Sequence, residues 1–130
     1  MLIGELARRA GVSVKAVRYY ESLGLIVPER RANGYREFGD RDLRLVREIR
    51  ELAVLGVSAE RARPFLDCLL AGHARGEDCP DSVATLRAAI GEVDARIVDL
   101  RRRREALIRL VSEAEPRCQL SLDPAPGVRA

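Results

Sequence analysis

Along the first forty residues, apolar positions recur with helical spacing and then give way to turn chemistry. Ile3, Leu6, Ala7 and Ala10 fall at i, i+3, i+4 and i+7, which predicts a short helix with one buried face. Gly11 follows where a chain leaves a helix with positive φ at no steric cost. Val12 can plug the core, and Ser13 suits the N-cap of a second helix from Val14 to about Leu23. On that helix Lys15, Arg18 and Tyr19 share a face, while Ala16, Val17 and Tyr20 point towards the body. Two helices joined by a short glycine turn predict a helix-turn-helix, whose second helix enters a DNA major groove. Asn33-Gly34 then predicts a hairpin with a type I′ turn and positive φ at both residues. Short strands on either side form a wing carrying Arg30, Arg31 and Arg36, with Tyr35 beside the turn.

The middle of the chain reads as scaffold. Asp40 can cap a helix from Arg41 to about Leu55, with Leu43, Val46, Ile49, Leu52 and Ala53 inward and Gly56 ending it. Ser58 can cap another from Ala59 to about Leu70, with Ala62, Phe65, Leu66 and Leu69 inward. Pro64 falls inside it and predicts a kink or a later start. Arg41, Arg44 and Arg47 are within reach of phosphates, although a solvated helix face is the simpler role. Residues 71–79 read as a loop.

From Val83 the apolar positions Val83, Leu86, Ile90, Val93, Ile97 and Leu100, then Leu107 and Val111, repeat at alternating spacings of three and four, interrupted by Arg104. This predicts a helix over 80–113, roughly 50 Å long at 1.5 Å per residue. So thin a stripe on so long a helix calls for burial against a second copy, making a homodimer. Arg104 in the seam can fix register. The remainder, 114–130, reads as a C-terminal loop and a flexible tail from Leu120, with Pro124 and Pro126 in it.

Charge sharpens this picture more than composition does. The net charge is only +3, but residues 1–36 hold seven Lys/Arg against three Asp/Glu, whereas residues 76–130 hold nine against ten. The cationic end is the winged segment, as a duplex-binding surface requires. Trp is absent and aromatics are 4%, so a large globular core is not expected. Glu5, Arg8 and Arg9 interrupt any apolar leader, and no run approaches a membrane span. Three cysteines do not make a disulfide framework, which points to a reducing cytoplasm. One His, with no nucleophile–base arrangement and no phosphate-cradling glycine loop, argues against an enzyme.

The segments Ile3-Gly4-Glu5-Leu6-Ala7, Val17-Arg18-Tyr19-Tyr20-Glu21, Gly24-Leu25-Ile26 and Asn33-Gly34-Tyr35-Arg36 resemble the N-terminal domain of MerR-family transcriptional regulators. The resemblance implies a mainly α chain. It places a winged helix-turn-helix with linker helices over 1–70 and, after it, a dimerisation helix paired as an antiparallel coiled coil. It also implies a homodimer on double-stranded promoter DNA that bends and untwists an overlong spacer so that RNA polymerase can use it. DNA contacts are expected from Ser13, Lys15, Arg18 and Tyr19, and from Arg30, Arg31, Asn33, Gly34, Tyr35 and Arg36 of the wing.

The thiols suggest the signal. Cys79 precedes Pro80 at the start of the long helix, where the helix dipole favours thiolate. Cys118 follows Pro116 near the other end, so the two cannot share a ligand within one chain. In an antiparallel dimer Cys79 of one chain comes near Cys118 of the other, where soft thiolates suit Cu(I), Zn(II), Cd(II) or Hg(II). This resembles the metal-responsive branch of the family, with one C-terminal cysteine where that branch carries two. Cys68 and His73 can add ligands, although each has a plain reading: Cys68 as a small core residue, His73 as a surface residue. Incidental cysteines with another signal, or an effector-independent architectural or excisionase-like DNA-bending protein, are the alternatives.

Overall fold

Helix α1 (Ile3–Ala10) buries Leu6, Ala7 and Ala10, and Gly11 leaves it at φ 72°. The Val12 N–H then reaches back to the Ala7 carbonyl at 3.0 Å, satisfying a helix-end acceptor. Ser13 caps α2 (Val14–Ser22) through its Oγ, which accepts the Ala16 N–H at 3.0 Å. Val17 and Tyr20 are buried on α2, as their spacing requires. The computed structural model describes residues 1–122, with side chains to Gln119; of the tail expected from Leu120, the backbone to Leu122 is helical and the rest lies outside the described residues.

The wing consists of β1 (Glu29–Arg30) and β2 (Arg36–Glu37), antiparallel with Arg30 opposite Arg36. Its turn is not type I′. Among these residues only Gly34 has positive φ, at 84°, and Gly34 N–H donates to Arg31 O while Arg31 N–H donates to Tyr35 O, both at 2.9 Å. That is a three-residue loop with glycine in the left-handed position, which spares Asn33 the cost of positive φ. The Asn33 carboxamide oxygen instead accepts the Tyr35 N–H at 3.2 Å. Phe38 roots the wing: its backbone exchanges hydrogen bonds of 2.7 and 2.8 Å with Met1, and its ring is 1% exposed.

Helix α3 (Asp40–Val54) starts one residue earlier than expected. Asp40 is its first helical residue rather than its cap, and the Asp42 carboxylate accepts the Gly39 N–H at 2.9 Å. Leu45 is buried and Ala53 is exposed, the reverse of the expected stripe. The reason is that α3 is packed by α1 on one side and by α4 on another, which widens the buried arc. Pro64 divides the next segment. A 3-10 turn (Ala59–Arg61) precedes α4 (Arg63–Leu70), where proline at the second position needs no N–H partner. Ser58 makes no side-chain cap.

Of Arg41, Arg44 and Arg47, read as a solvated or phosphate-facing row, Arg41 is exposed while Arg44 and Arg47 bond the fold, and Arg50 and Arg63, outside that reading, do the same. Arg47 donates to the Arg9 carbonyl at 3.3 Å, Arg50 to Gly11 at 3.1 Å and Arg63 to Leu23 at 3.1 Å. Each meets the carbonyl end of α1 or α2, where unpaired acceptors and the negative pole of the dipole favour a cation. Arg44 likewise holds the Ala74 carbonyl at 3.1 Å.

Helix α5 (Pro80–Leu122) runs past the expected end at 113 and carries Pro116 within it. The chain divides into two compact units, residues 1–89 and 90–130. The first unit extends beyond the expected boundary at 70 because Leu86 and Ala89 of α5 pack against its core. Leu86 is therefore partly used within the chain rather than free for a dimer seam. In the second unit the apolar row stands open: Ile90 is 59% exposed, Ile97 41% and Leu107 61%.

Glu48 of α3 is half-buried beside Glu77 and Glu51, and desolvation first, then those two charges, raise its pKa above the ordinary carboxylate value, with Arg44 opposing. A carboxyl with a raised folded-state pKa binds more protons folded than unfolded, so its charged form costs stability as pH rises through the raised value. Glu48→Gln is expected to stabilise the protein at neutral pH and to have no stabilising effect below the ordinary carboxylate pKa, read by thermal melts across that range. Equal gains at both pH values would contradict this.

Candidate functional site

Two groups of chemistry-bearing residues emerge within residues 1–89. The first is the exposed face of α2 with the wing. Lys15, Arg18 and Tyr19 are all exposed there. Neither Lys15 nor Arg18 has a hydrogen-bond or ion-pair partner among the described residues, so both cations stand free. Tyr19 differs from expectation, because its hydroxyl donates to the Glu60 carboxylate. That bond raises the Tyr19 pKa and lowers that of Glu60. Glu60 comes from the 3-10 turn 41 residues downstream, a neighbour no local pattern announces.

The wing cations are not equivalent. Arg31 forms a two-pronged pair with Glu37 at 2.9 and 3.0 Å, which holds the Glu37 carboxyl below the usual range. Arg36 bonds Glu21 of α2 at 2.8 Å, tying wing to helix. Arg30 donates only to the Gly34 carbonyl, at 3.2 Å, and keeps its charge uncompensated. Tyr35 is 65% exposed at the turn beside Asn33 and Gly34. Ser13 spends its hydroxyl on the cap of α2. The Arg36–Glu21 pair thus joins the wing to α2, and Arg31 and Arg36 are partly neutralised by their own acids.

The second group is a thiol–imidazole cluster. Cys68 near the end of α4, His73 in the turn after it and Cys79 just before α5 bring one ligand atom each to within 4.8 Å of one another. Cys68 is buried, Cys79 half-buried and His73 exposed. Cys68 and Cys79 are disulfide-bonded, with Cα atoms 5.9 Å apart. This reorders the thiols expected from the sequence. Cys68, read as a core residue, is buried but also joins the cluster, and Cys79 meets Cys68 and His73 of its own chain. Cys118 is exposed and unbonded, on α5 rather than in a loop.

Local geometry explains the convergence. Gly72 leaves α4 at φ 97°, and the His73 N–H turns back onto the Cys68 carbonyl at 3.3 Å. The Asp78 carboxylate accepts the Arg75 N–H at 3.2 Å, closing the 3-10 turn (Gly76–Asp78) that delivers Cys79. That turn lies so close to α3 and α4 that a Cβ on buried Gly76 would sit 2.5 Å from Glu48 Oε1 and 3.1 Å from Phe65 Cβ. The sequence signal was the spacing of Cys68, His73 and Cys79; its weakness was that a loop of unknown path separates them.

An exposed basic helix beside a hairpin wing, held by a helical scaffold, defines a winged helix-turn-helix protein. The family profile described as "MerR HTH family regulatory protein" matches residues 1–68, and this chain belongs to that family. It is similar to the HTH-type transcriptional regulator HmrR of Rhizobium leguminosarum bv. viciae, 36% identical over 85% of this chain and 84% of that protein. It is also similar to the mercuric resistance operon regulatory protein of Bacillus cereus, 32% identical over 93% of this chain and 87% of that protein. Among solved structures, that of the transcription regulator PbrR691 from Ralstonia metallidurans CH34 in complex with lead(II) superposes with a TM-score of 0.70. It is 28% identical and covers 85% of this chain and 84% of that one. No described helix is long and apolar enough to cross a membrane.

Proposed function

We propose that this chain is a homodimeric transcription regulator that binds double-stranded promoter DNA and is switched by a soft or borderline metal ion. The observation that carries the DNA reading is the pair of unpartnered cations, Lys15 and Arg18, on the exposed face of α2 beside the wing. A helix of this diameter fits a major groove, and free cations on it reach base edges and phosphates. Arg30, Arg31, Tyr35 and Arg36 then meet the flanking backbone from the wing. The metal reading is supported by the relatives' names and by the thiol–imidazole cluster. Action with RNA polymerase on the same promoter, by distortion of the spacer, follows from the family's mode of control.

The DNA reading is tested by selecting bound duplexes from a random library and measuring affinity against salt. Arg18→Ala is expected to cost about 1–3 kcal/mol on the selected duplex and to relax preference at one position. Arg36→Ala is expected to weaken binding evenly across sequences and to lower the salt slope by about 0.9. Because Arg36 is paired with Glu21, adding Glu21→Ala should recover part of that loss by removing a stranded acid from the DNA side. No selected duplex, or an Arg36→Ala effect confined to one base position, would contradict the assignment.

A further inference from the structure

We propose that Cys68, His73 and Cys79 of a single chain form a binding site for a Zn(II)-class divalent ion, which the Cys68–Cys79 disulfide closes. The inference rests on the reading of the chain as a metal-switched regulator and names where, and in which redox state, the metal is held. Three ligand atoms within 4.8 Å of one another can converge on one ion once the Cys68–Cys79 bond is reduced and the two sulfurs separate. Two thiolates and an imidazole suit Zn(II) or Cd(II), whereas Cu(I) and Hg(II) are satisfied by sulfur alone. Two thiolates neutralise a divalent charge, which matters because Cys68 is only 2% exposed. Exposed His73 closes the site from the solvent side and leaves a fourth position for water. Cys79 lies at the N-terminus of α5, where the dipole favours the thiolate a metal needs.

The disulfide and the ion compete for the same two sulfurs. In this disulfide form the Cys68 Sγ lies 3.4 Å from the Arg75 carbonyl, an oxygen placed to accept a thiol proton once the bond is reduced. With a peroxide as oxidant, the bound ion is released as both thiolates give one electron each and the S–S bond forms. One peroxide and two protons are consumed, the O–O bond breaks, and two waters and the free divalent ion result. Every ligand lies in one chain and within residues 1–89, so the site needs neither a partner nor Cys118.

The test uses the reduced full-length protein, titrated with Zn(II) against a chromophoric chelator and with Co(II), whose sulfur-to-metal charge-transfer intensity counts thiolates. One ion per chain with two thiolates is expected, unchanged by Cys118→Ser and lost with Cys79→Ser. His73→Ala, at an exposed position, should keep the melting curve of the metal-free protein and bind more than about tenfold more weakly. Cys68→Ser should abolish binding; because Cys68 is buried, that result counts only if its circular dichroism matches the parent, and His73→Ala carries the test otherwise. One ion per two chains, loss of binding with Cys118→Ser, or an unaltered His73→Ala affinity would overturn the site. Hydrogen peroxide should then release the ion with loss of two thiols per chain, reversed by dithiothreitol; retention of the ion, or cross-linking of chains through Cys118, would overturn the closure. Duplex selection on the same samples separates the readings. Metal binding without a selected duplex leaves the site standing and sinks the regulator, and a selected duplex without metal binding does the opposite.

Discussion

Replacing Ile97 and Leu100 together by glutamate is expected to leave the protein monomeric and to reduce affinity for a two-half-site duplex by more than about a hundredfold. Both side chains belong to a row on α5 that the chain itself does not cover: Ile97 is 41% and Leu100 48% exposed, with Val93 and Val111 open to a similar degree. A row of this kind on a long helix gains stability only by burial, and a matching row on a second copy is the simplest cover. Two carboxylates placed in it would have to be desolvated on association, at several kcal/mol each. Loss of the pair removes the second reading head, so the bound half-site no longer holds the other near its target. Sedimentation velocity and fluorescence anisotropy read the two effects. Arg102→Glu, off the apolar row, should change neither by more than a rim charge does. A double variant that still sediments as a dimer would place the interface elsewhere.

Phe38→Ala is expected to cost about 3–5 kcal/mol, a large part of the stability of so small a unit. Phe38 is 1% exposed and stands at the junction of wing, N-terminus and α3. Its backbone bonds to Met1 fix where β2 ends, and its ring supplies the apolar anchor that two-residue strands cannot provide for themselves. Removing the ring leaves a cavity and frees the wing to drift from α2, so duplex affinity should fall with stability. Urea unfolding followed by circular dichroism measures the first and anisotropy the second. Tyr35→Ala, at a residue 65% exposed, is expected to stay within about 0.5 kcal/mol of the parent in stability. A Phe38→Ala loss below about 1 kcal/mol would show that the wing is not anchored there.

The corrections share a cause. Asn33-Gly34 correctly announced a turn, but a turn's type depends on how the two strands are pulled by what anchors them, here Phe38 and the Arg36–Glu21 pair. Pro64 announced a break, and the later start won because Leu66, Leu69 and Phe65 must align on the face that α3 offers. The arginines of α3 gave no local sign that they would meet the ends of α1, since their acceptors lie 38 and 39 residues away. Tyr19 and Glu60 are 41 residues apart and make the same point on the DNA side.

Periodicity, caps and turn residues act over a few positions, and these the sequence by itself determined: α1, the Gly11 turn, the Ser13 cap, the inward face of α2, the hairpin and the apolar row of α5. The basic bias of the first 36 residues likewise points to nucleic acid. Only tertiary structure decided which cations remain free and which are held by Glu21, Glu37 or helix-end carbonyls. It also decided that Cys68, His73 and Cys79 converge, because the path of the 71–79 loop is set by Gly76 fitting against Glu48 and Phe65. Local patterns are set by steric and hydrogen-bonding rules within one or two turns. Convergence across tens of residues depends on how whole faces pack, and no window on the chain holds that information.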